Sequence, residues 1–338
     1  MDAAANRAAE GLRVVEDYVR FVLDDRHLTE AWKSIRHELR ELLVPLDATR
    51  RLAARQTPHD VGTEIPQPAA SVRRDLAGVF AANAARLAQA LRSLEETVKL
   101  LDPVRAARLE SLRYRSYTLA AATESTRAAA QRLADVRLYV LIDGGGSTAE
   151  MESLVRNLVG AGVDAIQLRD KRLADRELLD RARRARQLTR DGQVLLIIND
   201  RPDLAVLSQA DGVHVGQDEL VVKDVRTVVG TDLLIGVSTH SLQQAGQAVL
   251  DGANYIGLGP VFPSDTKSFT QFPGVPLLRE VAEQIELPAF AIGGITADRL
   301  PQVMSSGIRR IAVGRAVTAS ADVSAAVQRL REQLQSVG

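Results

Sequence analysis

Between Arg137 and Ala316 the chain alternates short β-branched runs with amphipathic stretches of helix length, and does so eight times. The runs predict strands at 137–143, 165–171, 194–200, 212–216, 233–238, 255–259, 289–295 and 308–314. Strands separated by helices build a parallel sheet. Eight such units in roughly 200 residues have the size of a closed (β/α)8 TIM barrel. An open doubly wound sheet is the competing arrangement. It would normally carry a glycine-rich dinucleotide turn after its first strand, and Gly144-Gly145-Gly146 lacks that spacing. The fold class is therefore α/β, a TIM barrel. Polar residues gather at the end of each run, as in Gln167-Leu168-Arg169-Asp170-Lys171 and Asn199-Asp200. In a barrel that end carries the active site.

Upstream of residue 135 the composition changes to Ala, Arg, Leu and Glu, with apolar residues at helical spacing such as Leu12, Val15, Val19 and Val22. This half reads as an all-α domain over 1–125, joined by a linker at 126–135 to a barrel at 136–338. A chain of 338 residues with 46% apolar content can bury two cores. Its formal net charge of zero leaves no global field for nucleic acid or an anionic membrane, so small molecules are the expected partners. The absence of cysteine excludes disulfides, thiolate nucleophiles and cysteine-bound zinc, and fits a cytoplasmic protein. Apolar runs are strand-sized and the start is acidic, so neither a transmembrane helix nor a signal peptide is expected.

The helical half contains an internal repeat. Arg7, Leu12, Arg13, Glu16, Asp17 and Arg20 recur seventy-nine positions later as Arg86, Leu91, Arg92, Glu95, Glu96 and Lys99. Two related helices follow, each with charges on one face. Those charges read equally well as solvated ion pairs or as part of an anion site with Asn6, Arg36-His37, Arg55, His59 to Thr63 and Arg113-Tyr114.

In the barrel half, Gln167, Arg169 and Lys171 alternate and so share one strand face. An Arg fork and a Lys suit phosphate, although a salt-bridge ladder with Asp170 or Asp175 would use the same residues. Asp200 and the Asp218-Glu219 pair follow neighbouring strands, so two carboxylates can converge on a hard cation such as magnesium. Asp200 as a helix cap is the plainer alternative. His214, between Val213 and Val215, reads as a packed barrel residue rather than a ligand. Gly293-Gly294 and Gly314 follow strands seven and eight, the habitual phosphate site of barrels.

Residues from about 135 to 335 resemble the thiamine-phosphate synthase family. The resemblance is collinear across Gln167 to Lys171, Asn199-Asp200, His214-Val215-Gly216-Gln217, Gly236-Val237-Ser238, Gly257-Leu258-Gly259-Pro260 and Ile292-Gly293-Gly294-Ile295. It implies an enzyme that joins 4-amino-2-methyl-5-hydroxymethylpyrimidine diphosphate to 4-methyl-5-(2-phosphoethyl)thiazole and releases diphosphate. It also implies that Gln167, Leu168, Arg169, Asp170, Lys171, Asn199, Ser238 and Lys267 contact the pyrimidine diphosphate. Arg169, Lys171, Ser238 and Lys267 would be catalytic, and Asp200 and Glu219 would hold Mg2+. Ser264, Asp265, Thr266, Gly294, Gly314 and Arg315 would hold the thiazole phosphate. Family members usually have Asp at the second metal position; here Glu219 stands there beside Asp218. No protein nucleophile or base is required.

Residues 1–120 resemble the helical hydroxymethylpyrimidine-phosphate kinase domain found fused ahead of such synthases. The resemblance rests on Asn6 to Asp17, Arg36-His37, Asp60 to Thr63, Ala90 to Glu96 and Arg113-Tyr114. It implies ATP as a further ligand and a product that is the synthase's substrate. Two other readings stay open. The Ala-rich stripes of the helical half could serve as a structural module or in a homo-oligomer, and the barrel could be a regulatory thiazole or pyrimidine binder.

Overall fold

The computed structural model describes residues 1–44, 73–263 and 272–335. They form two compact units, Met1–Glu124 and Ser125–Gly338.

The first unit is helical. Helix α1 (Asp2–Tyr18) runs into a π-helical turn (Val19–Leu23), and α2 (Arg26–Leu43) follows. Asp24 breaks the chain with a left-handed φ of 58°, and Asp25 caps α2 by accepting from the Leu28 amide at 2.7 Å. After the gap, α3 (Leu76–Val98) starts on Asp75, which accepts from the Gly78 amide at 2.7 Å, and α4 (Pro103–Arg132) starts on a proline. Helices α1 and α3 lie antiparallel. The Tyr18 ring is 4.9 Å from that of Phe80, and Gly11 faces Asn83, where a Cβ would stand 3.2 Å from the carbonyl oxygen. Leu12, Val15, Trp32, Ile35, Leu87, Leu91, Leu94, Leu109 and Leu112 are fully buried between the helices. The repeat seen in the sequence therefore covers two helical hairpins, and it reaches their tips. Phe21-Val22 and Leu100-Leu101, again seventy-nine positions apart, are exposed in both.

The second unit is a closed parallel barrel whose strands stand in chain order. They are β1 (Leu138–Ile142), β2 (Ala165–Leu168), β3 (Leu195–Asn199), β4 (Gly212–Val215), β5 (Leu234–Thr239), β6 (Tyr255–Leu258), β7 (Ala289–Ile292) and β8 (Arg310–Val313). All eight expected strands form. Several stop earlier than expected, β2 at Leu168 rather than 171, so Arg169 and Lys171 belong to a loop and not to a strand face shared with Gln167. The expected linker is also different: α4 stays helical to Arg132, and Leu133 joins the barrel core with Tyr139, Ala165, Ile197, Leu234, Tyr255, Phe290 and Ala312.

At the N-terminal face one device repeats. Asp164, Asp211 and Asn254 each stand just before a strand, and each accepts from a backbone amide of the preceding strand: Leu138 at 2.8 Å, Leu196 at 2.8 Å and Ile235 at 2.9 Å. These bonds pin the register at the face where barrels keep their stability residues. Among the described residues, no helix is long and apolar enough to cross a membrane.

Candidate active site

At the C-terminal mouth, three loops bring together one cation and two carboxylates. Lys171 Nζ lies 3.1 Å from Asp200 Oδ2 and 3.5 Å from Glu219 Oε1. Asp200 adopts φ 61°, a left-handed conformation that Asp tolerates better than most residues, and its amide donates to the His214 carbonyl at 2.8 Å. That bend turns the carboxylate off the end of β3. Glu219 folds back over Gly216, so that a Cβ there would meet its carboxylate and displace it from this position. Hydrogen bonding to Asp200, with that residue's charge, pushes the Lys171 ammonium above its ordinary value. Asp218 is exposed and forms no ion pair with another described residue, so Glu219 is the acid drawn into this cluster.

The other expected residues divide between the mouth and places away from it. Arg169 is half-buried, and its guanidinium has no ion-pair partner among the described residues. Asn199 ends β3 on the interior side, opposite His214 in register. Asp170 turns away from the mouth. Its carboxylate accepts from the Gly144 amide (3.1 Å), the Arg172 amide (2.8 Å) and Arg172 Nη2 (2.8 Å), bonds that hold it well below the usual carboxylate range despite its burial. Asp170 thus ties the β1 loop to the β2 loop, and the salt-bridge partner is Arg172 rather than Arg169 or Lys171. Asp175 pairs with Arg201 at 2.5 Å. Leu168 is buried on the outer side of the sheet, opposite in phase to Gln167.

Across the mouth, Gly293 and Gly294 follow β7 with φ of 104° and 61°. Phe262 extends the pairing by donating to the Gly293 carbonyl at 3.0 Å, and Arg299 donates to the Gly294 carbonyl at 2.8 Å. A Cβ on Gly294 would stand 2.6 Å from the Pro263 carbonyl oxygen. Gly294→Ala is therefore expected to cost about 1–3 kcal/mol of stability; urea unfolding checks this, and a change below about 0.5 kcal/mol would contradict it. Gly314 ends β8 and precedes Arg315, which opens a short helix. A Cβ there would make only ordinary contact, 3.8 Å from the Leu141 carbonyl, so no protein neighbour demands glycine. Ser264, Asp265, Thr266 and Lys267 lie outside the described residues, as do Arg55 and His59 to Thr63.

Below the mouth, His214 is packed inside the barrel as expected, between Tyr255 and Ser238. Gln167 is buried and donates to the Tyr139 hydroxyl at 2.7 Å. The sequence reading missed both tyrosines. A tyrosine in an inward strand position needs a polar partner, and that requirement was the available signal.

The first unit holds a cleft of about 390 Å³ between α1 and α3, bordered by Arg7 and Arg86, Glu10 and Gln89, Ala4 and Asn83, and Gly11 and Ala90. Each pair is a repeat pair.

A closed parallel barrel with charged side chains and bent glycines at its C-terminal mouth has the architecture of the TIM-barrel enzymes. Residues 138–317 match the family model described as thiamine monophosphate synthase, and residues 1–122 match the ThiD2 family model. The thiamine-phosphate synthase of Rhodopirellula baltica is 43% identical over 100% of this chain and 92% of its own length. That of Gloeobacter violaceus is 42% identical over 95% of this chain and 92% of its own. Among solved structures, thiamine phosphate pyrophosphorylase from Pyrococcus furiosus is 34% identical with a TM-score of 0.54, covering 60% of this chain and 96% of its own. The chain belongs to the thiamine-phosphate synthase family, and it is an enzyme of thiamine biosynthesis.

Proposed function

We propose that the barrel couples the hydroxymethylpyrimidine diphosphate to the thiazole phosphate, and that the helical unit makes this diphosphate by ATP-dependent phosphorylation of the pyrimidine monophosphate. The observation that carries the first half is Lys171 held between Asp200 and Glu219 at the barrel mouth, beside Arg169. Both carboxylates lie within 3.5 Å of the lysine ammonium, which supports reading this point as one suited to a cation. Two carboxylates supplemented by substrate phosphates suit magnesium. When bound there, the metal supplies Lewis-acid stabilisation of the departing diphosphate.

This chain's own residues do the rest. Arg169 and Lys171 present positive charge where negative charge develops on the leaving group as its carbon–oxygen bond breaks. Ser238 and Asn199 stand at the ends of inward strand positions, suited to orient the pyrimidine. The bent Gly293-Gly294 backbone and the unobstructed Gly314 suit close approach of the thiazole phosphate, with Arg315 beside it. Anchoring both partners brings the thiazole nitrogen to the pyrimidine's methylene carbon, so orientation replaces a protein nucleophile.

For the helical unit, the cleft bordered by Arg7 and Arg86 is the candidate phosphate site, because two repeat-related arginines line one opening. Purified protein should yield thiamine phosphate from the pyrimidine diphosphate, thiazole phosphate and magnesium without ATP. With ATP it should do so from the monophosphate. Product from the diphosphate alone would reduce the helical unit to a structural or oligomerisation module. Product from neither would sink the synthase reading.

A further inference from the structure

We infer that Gln167, Tyr139, Tyr255, His214 and Ser238 form one directional hydrogen-bond relay across the barrel interior, which fixes Ser238 as a donor toward the ligand at the mouth. The five side chains come from β2, β1, β6, β4 and β5 in that order. Gln167 Nε2 donates to the Tyr139 hydroxyl at 2.7 Å, and the Tyr139 and Tyr255 hydroxyls are 3.1 Å apart. The Tyr255 hydroxyl is 3.2 Å from His214 Nδ1, and His214 Nε2 is 3.0 Å from Ser238 Oγ.

The direction follows from counting protons. Each phenol has one, and burial pushes both phenols above their ordinary value, so each keeps it. With the Gln167 amide donating into Tyr139, the Tyr139 proton turns to Tyr255, and the Tyr255 proton turns to His214 Nδ1. An imidazole that accepts at Nδ1 carries its proton on Nε2. Nε2–H then donates to Ser238 Oγ, and the serine proton is left for the ligand. An imidazolium would present a second donor to Tyr255 and leave that phenol's proton without an acceptor.

The barrel makes room for this path. A Cβ on Gly236 would lie 2.1 Å from Tyr255 Cζ, and one on Gly257 would lie 3.4 Å from His214 Cε1. Gly236 clears the interior for the Tyr255 ring, whereas a Cβ at Gly257 would make only ordinary contact with the His214 ring. The same polarity uses Gln167 as a donor at Nε2 and leaves its carbonyl oxygen as the amide's acceptor. An aminopyrimidine has the complementary pair, a donating amino group and accepting ring nitrogens. This last consequence rests on the substrate assigned under Proposed function; the relay itself does not.

Long-range 1H–15N spectra of the ligand-free full-length protein, with His214 assigned from a His214→Gln sample, read the tautomer directly. The expected result is a neutral ring protonated at Nε2, whose Nδ1 resonance moves in Tyr255→Phe. A proton on Nδ1, or an imidazolium at neutral pH, would overturn the relay even if the enzyme made no thiamine phosphate. Kinetics supply the second arm. Tyr139→Phe and Tyr255→Phe should each lower kcat/KM for the pyrimidine diphosphate about tenfold, the double variant no further, and neither should matter once Ser238 is alanine. Additive losses, or a full effect of Tyr255→Phe in the Ser238→Ala background, would show two tyrosines that only fill the core.

Discussion

Lys171→Ala is expected to lower kcat/KM for thiamine phosphate formation by about 10²–10³-fold, the size for removing one preorganised charge from the developing leaving group. Asp200→Asn is expected to do comparable damage by a different route, raising the magnesium concentration needed for half-maximal rate if the proposed metal site is right. The two are coupled through the 3.1 Å contact between Lys171 Nζ and Asp200 Oδ2. The double variant is therefore expected to lose less than the product of the two single losses. Lys171 has 62% of its side chain exposed, so the losses appear in kinetics with little change in melting temperature. The lysine's value is raised from 10.5, which makes its pH dependence one-sided. Its positive charge is complete below 10.5 and is lost only as pH climbs through the raised value, so no activity change between pH 6 and 9 should vanish in Lys171→Ala. Steady-state kinetics over a magnesium series decide the matter. A Lys171→Ala enzyme within about threefold of the parent would show that the cluster at the mouth is a surface ion pair.

The barrel was legible because periodicity reports burial. Runs such as Leu195 to Ile198 are apolar throughout, as strands covered on both faces must be, and all eight appear where expected. Strand ends were not legible. Nothing in the order Leu168, Arg169, Asp170, Lys171 says that pairing stops at Leu168; that follows from Asp170 taking the Gly144 and Arg172 amides, a contact across twenty-six residues in the first case. The same limit hid the interior relay. Tyr139 and Tyr255 sit in strand-like runs and look like core, and only closure of the sheet brings β1, β6 and β4 within reach of one another. Residues that act through backbone position, such as Gly293 and Gly294, were readable because positive φ leaves a glycine as its trace. The repeat in the helical half was readable too. Its consequence was not, since the balance between solvated and buried charge depends on which helix packs behind it.

That balance gives the largest expected effect on stability. Glu95 is fully buried, with Arg113 of α4 at 2.9 Å, Arg92 at 2.7 Å and Lys99 at 3.0 Å. The i,i+3 and i,i+4 pairs foreseen in the sequence exist, but the acid at their centre is no solvated group. Arg113 is itself buried, its guanidinium 4.4 Å from the Tyr114 ring centroid. Removing the carboxylate leaves that cation with only the half-exposed Glu110, at 3.8 Å, so Glu95→Ala is expected to cost about 3 kcal/mol, the lower end for a broken buried pair. The repeat supplies an internal control. Glu16, the repeat counterpart of Glu95, pairs with Arg36 of α2 at 2.5 Å, but 26% of the Arg36 side chain is exposed. Water can take over from the lost acid there, so Glu16→Ala should cost markedly less. Burial alone would raise the Glu95 carboxyl; its hydrogen bonds to Lys99 and Arg113 outweigh that and hold it below 4.5. A depressed carboxylate contributes stability that is complete above its ordinary value and is lost as pH falls through the depressed one. In urea unfolding followed by far-ultraviolet circular dichroism, the helical unit should keep its midpoint down to pH 4.5 and lose stability below it, and Glu95→Gln should flatten that acid limb. Equal costs for Glu16→Ala and Glu95→Ala, or an acid limb unchanged in Glu95→Gln, would mean that the second hairpin is held by its leucine core and not by the buried charge.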